Sequence, residues 1–298
     1  MQVLVSGSTG LVGAALVPHL ESAGHEVTRL VRPGTAGADG IEWDPANGAI
    51  DRSQLEGFGA VVHLAGEPID QRWTERTKRR IRESRVQGTR LVASALAELD
   101  DPPEVFVSAS AVGYYGDRGE TWLTEGADPG DLFISEVCRR WEAAAQVAAE
   151  NGVRVVTPRT GIVLSTEGGA LPQMLPPFKL GLGGHLGPGD QYMSWVTRTD
   201  AVRIVEHLIE TEELHGAVNV CTPEPVTNRE FTDVLGDVLG RPTVMWVPAF
   251  GVKLLFGQMG EELLLASARV RPVELEESGY EWAYPELRFA LQHVFEER

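Results

Sequence analysis

A glycine-rich turn close to the start of the chain is the feature that most constrains its fold. An apolar run, 3–5, leads into three glycines spaced three residues apart, Gly7, Gly10 and Gly13, and an amphipathic stretch follows. This order predicts a strand, a tight turn and a helix. At such a junction in a parallel sheet, glycines let the backbone approach a pyrophosphate, and the helix N-terminus presents free N–H groups. The turn predicts a dinucleotide site; the alternative is a glycine-rich turn without a ligand.

Strand and helix patterns alternate through the first 165 residues, which favours an α/β fold built on a Rossmann-type, doubly wound parallel sheet. After residue 165 the sequence becomes dense in Gly and Pro without clear periodicity, and we expect an irregular segment there. A helix at 199–211 and a strand at 217–221 return the chain to the sheet. We therefore predict a nucleotide-binding Rossmann domain, 1–165 plus 197–222. Residues 166–196 plus 223–298 would form a smaller, mixed, mainly helical C-terminal lobe that binds substrate.

Composition excludes several classes of partner. The net charge of −17 argues against nucleic acid and against anionic membrane surfaces, which both require a basic protein face. Cys138 and Cys221 provide neither a disulfide framework nor a metal-ligand cluster, so we expect no metal. No apolar run is long enough to span a membrane, and no signal-peptide pattern precedes the first strand. A soluble, cytoplasmic protein is expected.

The end of the second predicted strand indicates which dinucleotide would bind. An NAD site usually places Asp or Glu there to bind the ribose 2′-hydroxyl, whereas this strand ends in Arg32. A guanidinium matches the oxygens of a 2′-phosphate. The sequence therefore predicts NADP(H) rather than NAD(H). Arg29 could share this role, and a solvated charge at the strand end is the alternative for Arg32.

Several motifs together resemble the extended short-chain dehydrogenase/reductases: GSTGLVG at 7–13, HLAG at 63–66, SRVQGT at 84–89 and SASAVGYYG at 108–116. Three further stretches resemble one epimerase-like branch of that group, family 39U, which has its own C-terminal domain: HLAGEPI at 63–69, PFKLGLGG at 177–184 and RPVELEESGY at 271–280. The resemblance covers essentially the whole chain.

The resemblance implies cofactor contacts at the matching positions. The pyrophosphate would be lined by Gly7, Thr9, Gly10, Leu11, Val12 and Gly13. The adenosine-side ribose and the middle of the dinucleotide would be lined by Leu64, Ala65 and Gly66. Ser108 ends the strand that leads to the nicotinamide, and the segment ending at Val163 would pass over the nicotinamide ring. Arg85 could reach a cofactor phosphate, or form a salt bridge on its helix.

The catalytic pattern of the family is incomplete here. Relatives use Tyr as general acid/base with Lys four residues later, because the lysine lowers the tyrosine pKa. Aligning the corresponding helix on Phe133 puts Val137 at the lysine position, and aligning it on Glu142 puts Ile134 and Cys138 at the two positions. The family serine remains as Ser110.

Other residues could take over the missing chemistry. The candidates are Tyr114, Tyr115, Lys179 and His185. We predict Ser110 and Tyr115 as catalytic residues and Tyr114 and Lys179 as substrate contacts. The alternative for the tyrosines is packing, and for Lys179 and His185 an exposed loop position.

Two functions fit these observations. The first is an NADP(H)-binding, epimerase-like oxidoreductase acting on a small polar substrate that resembles a nucleotide sugar. The second is a non-catalytic NADP(H)-binding sensor or regulatory protein. A homodimer is expected, although the helix that relatives use for dimerisation is heavily charged here around 79–90.

Overall fold

A nine-stranded sheet is the centre of the computed structural model, which describes residues 1–34 and 39–296. The described strands of the whole chain are β1 (Gln2–Ser6), β2 (Glu26–Val31), β3 (Ile41–Asp44), β4 (Ala49–Ile50), β5 (Ala60–His63), β6 (Val105–Ser108), β7 (Ser110–Ala111), β8 (Trp122–Leu123), β9 (Arg154–Thr160), β10 (Ile162–Leu164), β11 (Gly184–Leu186), β12 (Tyr192–Met193), β13 (Trp195–Thr197), β14 (Gly216–Val220), β15 (Val226–Thr227), β16 (Met245–Val247) and β17 (Arg269–Val270). The helices are α1 (Gly13–Ser22), α2 (Glu75–Leu96), α3 (Phe133–Ala145), α4 (Ala170–Lys179), α5 (Arg198–Glu210), α6 (Asn228–Leu239), α7 (Ala249–Phe256), α8 (Gln258–Gly260), α9 (Val273–Glu277) and α10 (Leu287–Glu296).

The sheet has the predicted doubly wound, Rossmann-type architecture. Its strand order is β14-β9-β6-β5-β1-β2-β3-β4, with β7 also beside β9, and only the β3–β4 pair is antiparallel. Strands β5 and β6 are buried along their whole length, as expected for parallel strands covered on both faces. Helices α1 and α5 contribute to the core on one face, and α2 to the core on the other. The α/β prediction is confirmed.

The Gly/Pro-rich segment is more regular than we expected, because it contains helix α4. Leu171, Leu175 and Phe178 recur at helical spacing and are buried in the core of the C-terminal region. The helical spacing is difficult to recognise in the sequence because Pro176 and Pro177 lie within it, and proline normally ends a helix. Burial of the apolar face outweighs the two lost N–H donors, and the expectation of an irregular segment was wrong for these residues.

The chain after residue 166 contributes one strand to the sheet and otherwise lies outside it. Strand β14 adds to the edge beside β9. Asp200 of α5 is fully buried and accepts hydrogen bonds from the backbone N–H groups of Ala283 and Tyr284, at 2.8 and 3.0 Å. This carboxylate therefore ties α5 to the C-terminal segment. The division into two interleaved domains stays a prediction.

None of the described helices combines the length and the apolar character needed to cross a membrane.

Candidate functional site

The turn between β1 and α1 is built on close backbone approaches that only glycine permits. Gly7 has φ +70°, and an added Cβ would lie 2.7 Å from the carbonyl carbon of Leu64. At Gly13 an added Cβ would lie 2.2 Å from the carbonyl oxygen of Gly7. The start of α1 and the loop after β5 are thereby held against the same turn. The N-terminus of α1 lies there with no side-chain cap on Val12. The N–H groups of Ala14 and Ala15 donate to the carbonyl oxygens of Gly10 and Val12, so it is the N–H groups before Ala14 that could bind an anion.

The segment after β10 reaches both loops that leave the central strands. An added Cβ at Gly169 would lie 3.0 Å from a methyl group of Leu11 in the β1–α1 turn. Farther along, Gln173 of α4 donates a hydrogen bond of 2.7 Å to Asp70, which follows β5. Val163 packs on the core beneath these contacts. Residues 169–173 therefore contact both of the loops across which a dinucleotide lies in this fold.

Arg32 lies one residue beyond the end of β2 and is exposed. Strand β2 pairs with β1 in parallel, with Leu30 opposite Ser6, so Arg32 leaves the sheet at the same edge as the nucleotide turn. This is the position from which a side chain reaches the adenosine ribose in Rossmann folds. Residues 35–38, which follow, lie outside the described part of the chain.

Arg85 supports the loop after β5 from below. Its Nη1 donates to the carbonyl oxygen of Glu67 at 2.9 Å, and its guanidinium lies 5.0 Å from the ring of Trp141. An added Cβ at Gly66 would lie 3.4 Å from its Cζ. Desolvation lowers the pKa of Arg85 from its usual value. The arginine therefore stands directly behind Gly66, and among the described contacts it bonds carbonyl oxygens rather than forming the salt bridge weighed above.

Ser110 belongs to a buried charged cluster. Its Oγ donates a 2.6 Å hydrogen bond to Glu142 of α3, and Arg159 of β9 donates to the same carboxylate from Nε and Nη2, at 2.8 and 2.9 Å. Ser110 and Arg159 are each 4% exposed. A two-pronged arginine–carboxylate pair in such an environment fixes geometry strongly. The Ser110 hydroxyl proton is therefore directed at Glu142, which leaves the oxygen lone pairs as acceptors.

Tyr115 is part of the same network and is fully buried. Its hydroxyl donates to Asn219 at 2.6 Å and accepts from Arg159 at 3.0 Å. Burial raises the pKa of Tyr115 to about 12, despite the opposing effect of Arg159. A hydroxyl bonded on both sides and shielded from solvent is poorly suited to exchange a proton with a substrate. Catalysis by Tyr115 stays a prediction, and its geometry favours a positioning role instead.

Helix α3 carries no proton donor at either aligned position. Ile134 is buried, and Cys138 is 1% exposed, with burial raising the pKa of its thiol to about 12. The backbone N–H of Ile134 donates to Glu262, 3.0 Å away and 128 residues later in the chain. A carboxylate at a helix N-terminus interacts favourably with the helix dipole. The C-terminal region therefore contributes a cap to the helix that carries Glu142.

The remaining predicted residues lie in four different places. Tyr114 borders the Ser110 cluster, because the Arg159 Cζ lies over the Tyr114 ring, 3.5 Å from the ring centroid. Ser108 is fully buried at the end of β6, where its hydroxyl has no partner among the described residues. Lys179 is exposed and lines a cleft of about 640 Å³ between α4, α6 and α10. His185 accepts from Arg229 at 3.1 Å in the C-terminal region.

The sequence reading missed Glu142, Arg159, Asn219 and Glu262 as members of this network. One signal was present: Arg159 is a charge inside the strand VVTPRT, which is otherwise a buried type of sequence. A charge in a buried strand needs a partner. The partner itself could not be identified without the fold.

Comparison with known proteins places this geometry in context. The model of the NAD dependent epimerase/dehydratase family matches residues 3–221, and a domain family of unknown function, DUF1731, matches residues 247–294. The epimerase family protein Mb2239 of Mycobacterium bovis is 40% identical over 293 residues, which are 98% of this chain and 97% of that protein.

Two solved structures are similar along almost the whole chain. Human epimerase family protein SDR39U1 (isoform 2), crystallised with NADPH, matches with a TM-score of 0.92 and 36% identity, and the match covers all of both chains. The nucleoside-diphosphate sugar epimerase from Corynebacterium glutamicum matches with a TM-score of 0.82 and 36% identity over 99% of this chain and 58% of that one. The resemblance predicted from the motifs is confirmed.

Proposed function

Because this chain belongs to the NAD dependent epimerase/dehydratase family, we propose that it is an NADP(H)-binding, epimerase-like oxidoreductase acting on a small polar substrate. The observation that carries the proposal is the close approach of Gly7 to the Leu64 backbone and of Gly13 to the Gly7 carbonyl oxygen, since Cβ atoms there would clash with that backbone and prevent the tight turn that a dinucleotide pyrophosphate requires. The human relative crystallised with NADPH supports the choice of dinucleotide, as does Arg32 at the end of β2.

The chain offers a consistent set of residues for this cofactor. The β1–α1 turn would hold the pyrophosphate through Gly7, Thr9, Gly10, Leu11, Val12 and Gly13. Arg32 would bind the 2′-phosphate, while Leu64, Ala65 and Gly66, supported by Arg85, would line the middle of the dinucleotide. Ser108 and Val163 would approach the nicotinamide half. Bound NADP(H) would supply hydride transfer at this site.

Ser110 is the residue we assign to the substrate oxygen. The Ser110 hydroxyl donates its hydrogen bond to Glu142, and Arg159 holds that carboxylate in place. The lone pairs of the Ser110 oxygen would therefore accept a hydrogen bond from a substrate hydroxyl. Tyr114 would contact the substrate beside it, and Lys179 would attract an anionic substituent of the substrate. Tyr115 acts in this proposal by positioning Arg159 through its hydroxyl.

A glycine substitution with a matched control tests the nucleotide site. Gly13→Ala brings a methyl group to 2.2 Å from the Gly7 carbonyl oxygen, so the turn must open. We expect at least a tenfold weaker affinity for NADPH, measured by isothermal titration calorimetry. Gly126→Ala is the control, because Gly126 has an ordinary φ and open space around it, and it should bind like wild type. Equal affinity in both variants would contradict the proposed site.

A non-catalytic NADP(H)-binding sensor is the second candidate, and the absence of Tyr and Lys from their family positions on α3 favours it. NADPH oxidation across a panel of carbonyl compounds, with Ser110→Ala as the control variant, separates the two functions. Turnover that falls in Ser110→Ala supports the enzyme. Cofactor binding without turnover on any compound supports the sensor.

A homodimer would form most readily through an apolar face of the C-terminal region. Its large side chains, each 40–79% exposed, are Leu180, Leu182, Val244, Met245, Trp246, Phe250, Leu254, Leu255 and Phe256. They present on the order of 1,000 Å² of apolar surface, above the roughly 800 Å² that each partner buries in a standard interface. Residues 168–189 and 240–260 contain no Asp or Glu, so this face escapes the repulsion between two chains of net charge −17.

The cytoplasmic location stays a prediction.

A further inference from the structure

A histidine and two glutamates meet where α1 and α5 lie side by side. One donor atom from each of His25, Glu206 and Glu210 lies within 4.8 Å of the others. Glu206 and Glu210 stand one turn apart on α5, so their side chains share one helix face. His19, in the last turn of α1, contacts Glu206 at 2.7 Å through Nε2. One imidazole and two carboxylates therefore converge from separate parts of the chain, and His19 borders the group through Glu206.

The His25 side chain is 7% exposed but lacks hydrogen bonds among the described residues. Its Nδ1 has no partner, and its Nε2 is 3.6 Å from Oε1 of Glu210, beyond hydrogen-bond distance. Burying a polar nitrogen without a partner costs free energy. The 3.6 Å ion-pair contact with Glu210 is therefore the one polar contact of this imidazole among the described residues, and its Nδ1 stays unsatisfied.

We propose that His25, Glu206 and Glu210 form a binding site for a divalent transition metal of the zinc class, with water as the fourth ligand. Zinc takes imidazole nitrogen and carboxylate oxygen at about 2.0–2.2 Å, so neighbouring ligand atoms of a tetrahedral site lie roughly 3.4 Å apart. The 3.6 Å between His25 and Glu210 matches that separation. Two carboxylates also balance the double charge, while the imidazole favours zinc over calcium or magnesium.

The metal would join the turn after α1 to α5, at the end of α1 away from the nucleotide turn. His25 follows the last residue of α1, Ser22, whereas the proposed pyrophosphate site is at the first residue of that helix, Gly13. Metal that binds only the folded state raises its stability by mass action. The site goes beyond the proposed function, and zinc should leave NADPH affinity unchanged.

Isothermal titration of chelator-treated, full-length protein with zinc chloride tests the site. We expect one equivalent bound at micromolar concentration and a higher thermal midpoint with zinc. Glu210→Gln and His25→Asn should each weaken binding at least tenfold. Glu210 is 56% exposed, so its substitution leaves the fold intact. His215→Asn is the control, because His215 is exposed and bonds only within its own loop.

Cobalt gives a second readout, since tetrahedral Co²⁺ absorbs visible light strongly. Wild type and His215→Asn should develop that absorption, and Glu210→Gln should lose it. Absence of zinc uptake by wild type, or equal zinc affinity in wild type and Glu210→Gln, would overturn the proposal.

Discussion

Glu142→Gln perturbs the buried cluster that holds Ser110 in place. The side chains of Arg159 and Glu142 are only 5% and 13% exposed to solvent, so water cannot replace the lost carboxylate. Glutamine preserves the volume but leaves the guanidinium buried without a counter-charge. Removing one partner of such a pair costs about 3–5 kcal/mol, and we expect the free energy of unfolding to fall by that amount. The thermal midpoint should drop by roughly 1.6 °C for each kcal/mol, from an unfolding entropy of about 2.1 cal/mol/K for each of the 298 residues.

Urea unfolding followed by tryptophan fluorescence measures this loss. Glu136→Gln is the matched control on the same helix, because Glu136 and Arg140 form a pair whose side chains are 35% and 52% exposed. That substitution should cost less than about 0.5 kcal/mol. The double variant Glu142→Met/Arg159→Met should recover much of the stability, since it leaves no unpaired charge. A loss in Glu142→Gln no larger than in Glu136→Gln would refute the reasoning.

Three further predictions follow from burial and exposure. Burial lowers the pKa of His63 from 6.5 to about 4, so the folded state binds fewer protons than the unfolded state between these two pH values. The free energy of unfolding should therefore fall by on the order of 3 kcal/mol as the pH drops through this window. The urea midpoint of His63→Gln should depend less on pH than that of wild type. Burial raises the thiol pKa of both Cys138 and Cys221, so iodoacetamide should label neither in native protein and both after unfolding, as mass spectrometry would show; rapid native labelling would contradict the described core. Leu254→Glu should abolish the dimer in sedimentation velocity, while Phe289→Glu, at an exposed apolar position outside that face, should not; a monomeric wild type at every concentration would contradict the dimer.

Local signals in the sequence predicted a large part of the fold. The glycine spacing located the β1–α1 turn, because the close approach of Gly13 to Gly7 lies within seven residues. Thr74 directly precedes α2 and caps it, because its hydroxyl accepts from the Thr77 N–H. Thr227 and Glu230, three residues apart in the sequence, form a capping box at the start of α6. Each of these features depends only on neighbouring residues, so one sequence suffices to find it.

The polar clusters could not be predicted in the same way. Ser110, Glu142 and Arg159 come from β7, α3 and β9, and the parallel pairing of β7 with β9 brings them together. His25 and Glu210 meet only because α1 and α5 cover the same face of the sheet. Such contacts depend on strand order, which sequence periodicity does not encode. The prediction of no metal rested on cysteine spacing and could not detect a histidine–glutamate cluster.

The central claim is that the β1–α1 turn and Arg32 form a site selective for NADP(H). Titration of intrinsic tryptophan fluorescence with NADPH and, separately, with NADH tests it most directly, with Arg32→Ala measured alongside wild type. A charge-assisted hydrogen bond contributes about 1.5–3 kcal/mol, so wild type should bind NADPH roughly 10–100 times more tightly than NADH, and Arg32→Ala should lose most of that difference. Equal or tighter binding of NADH, or no binding of either dinucleotide, would contradict the account.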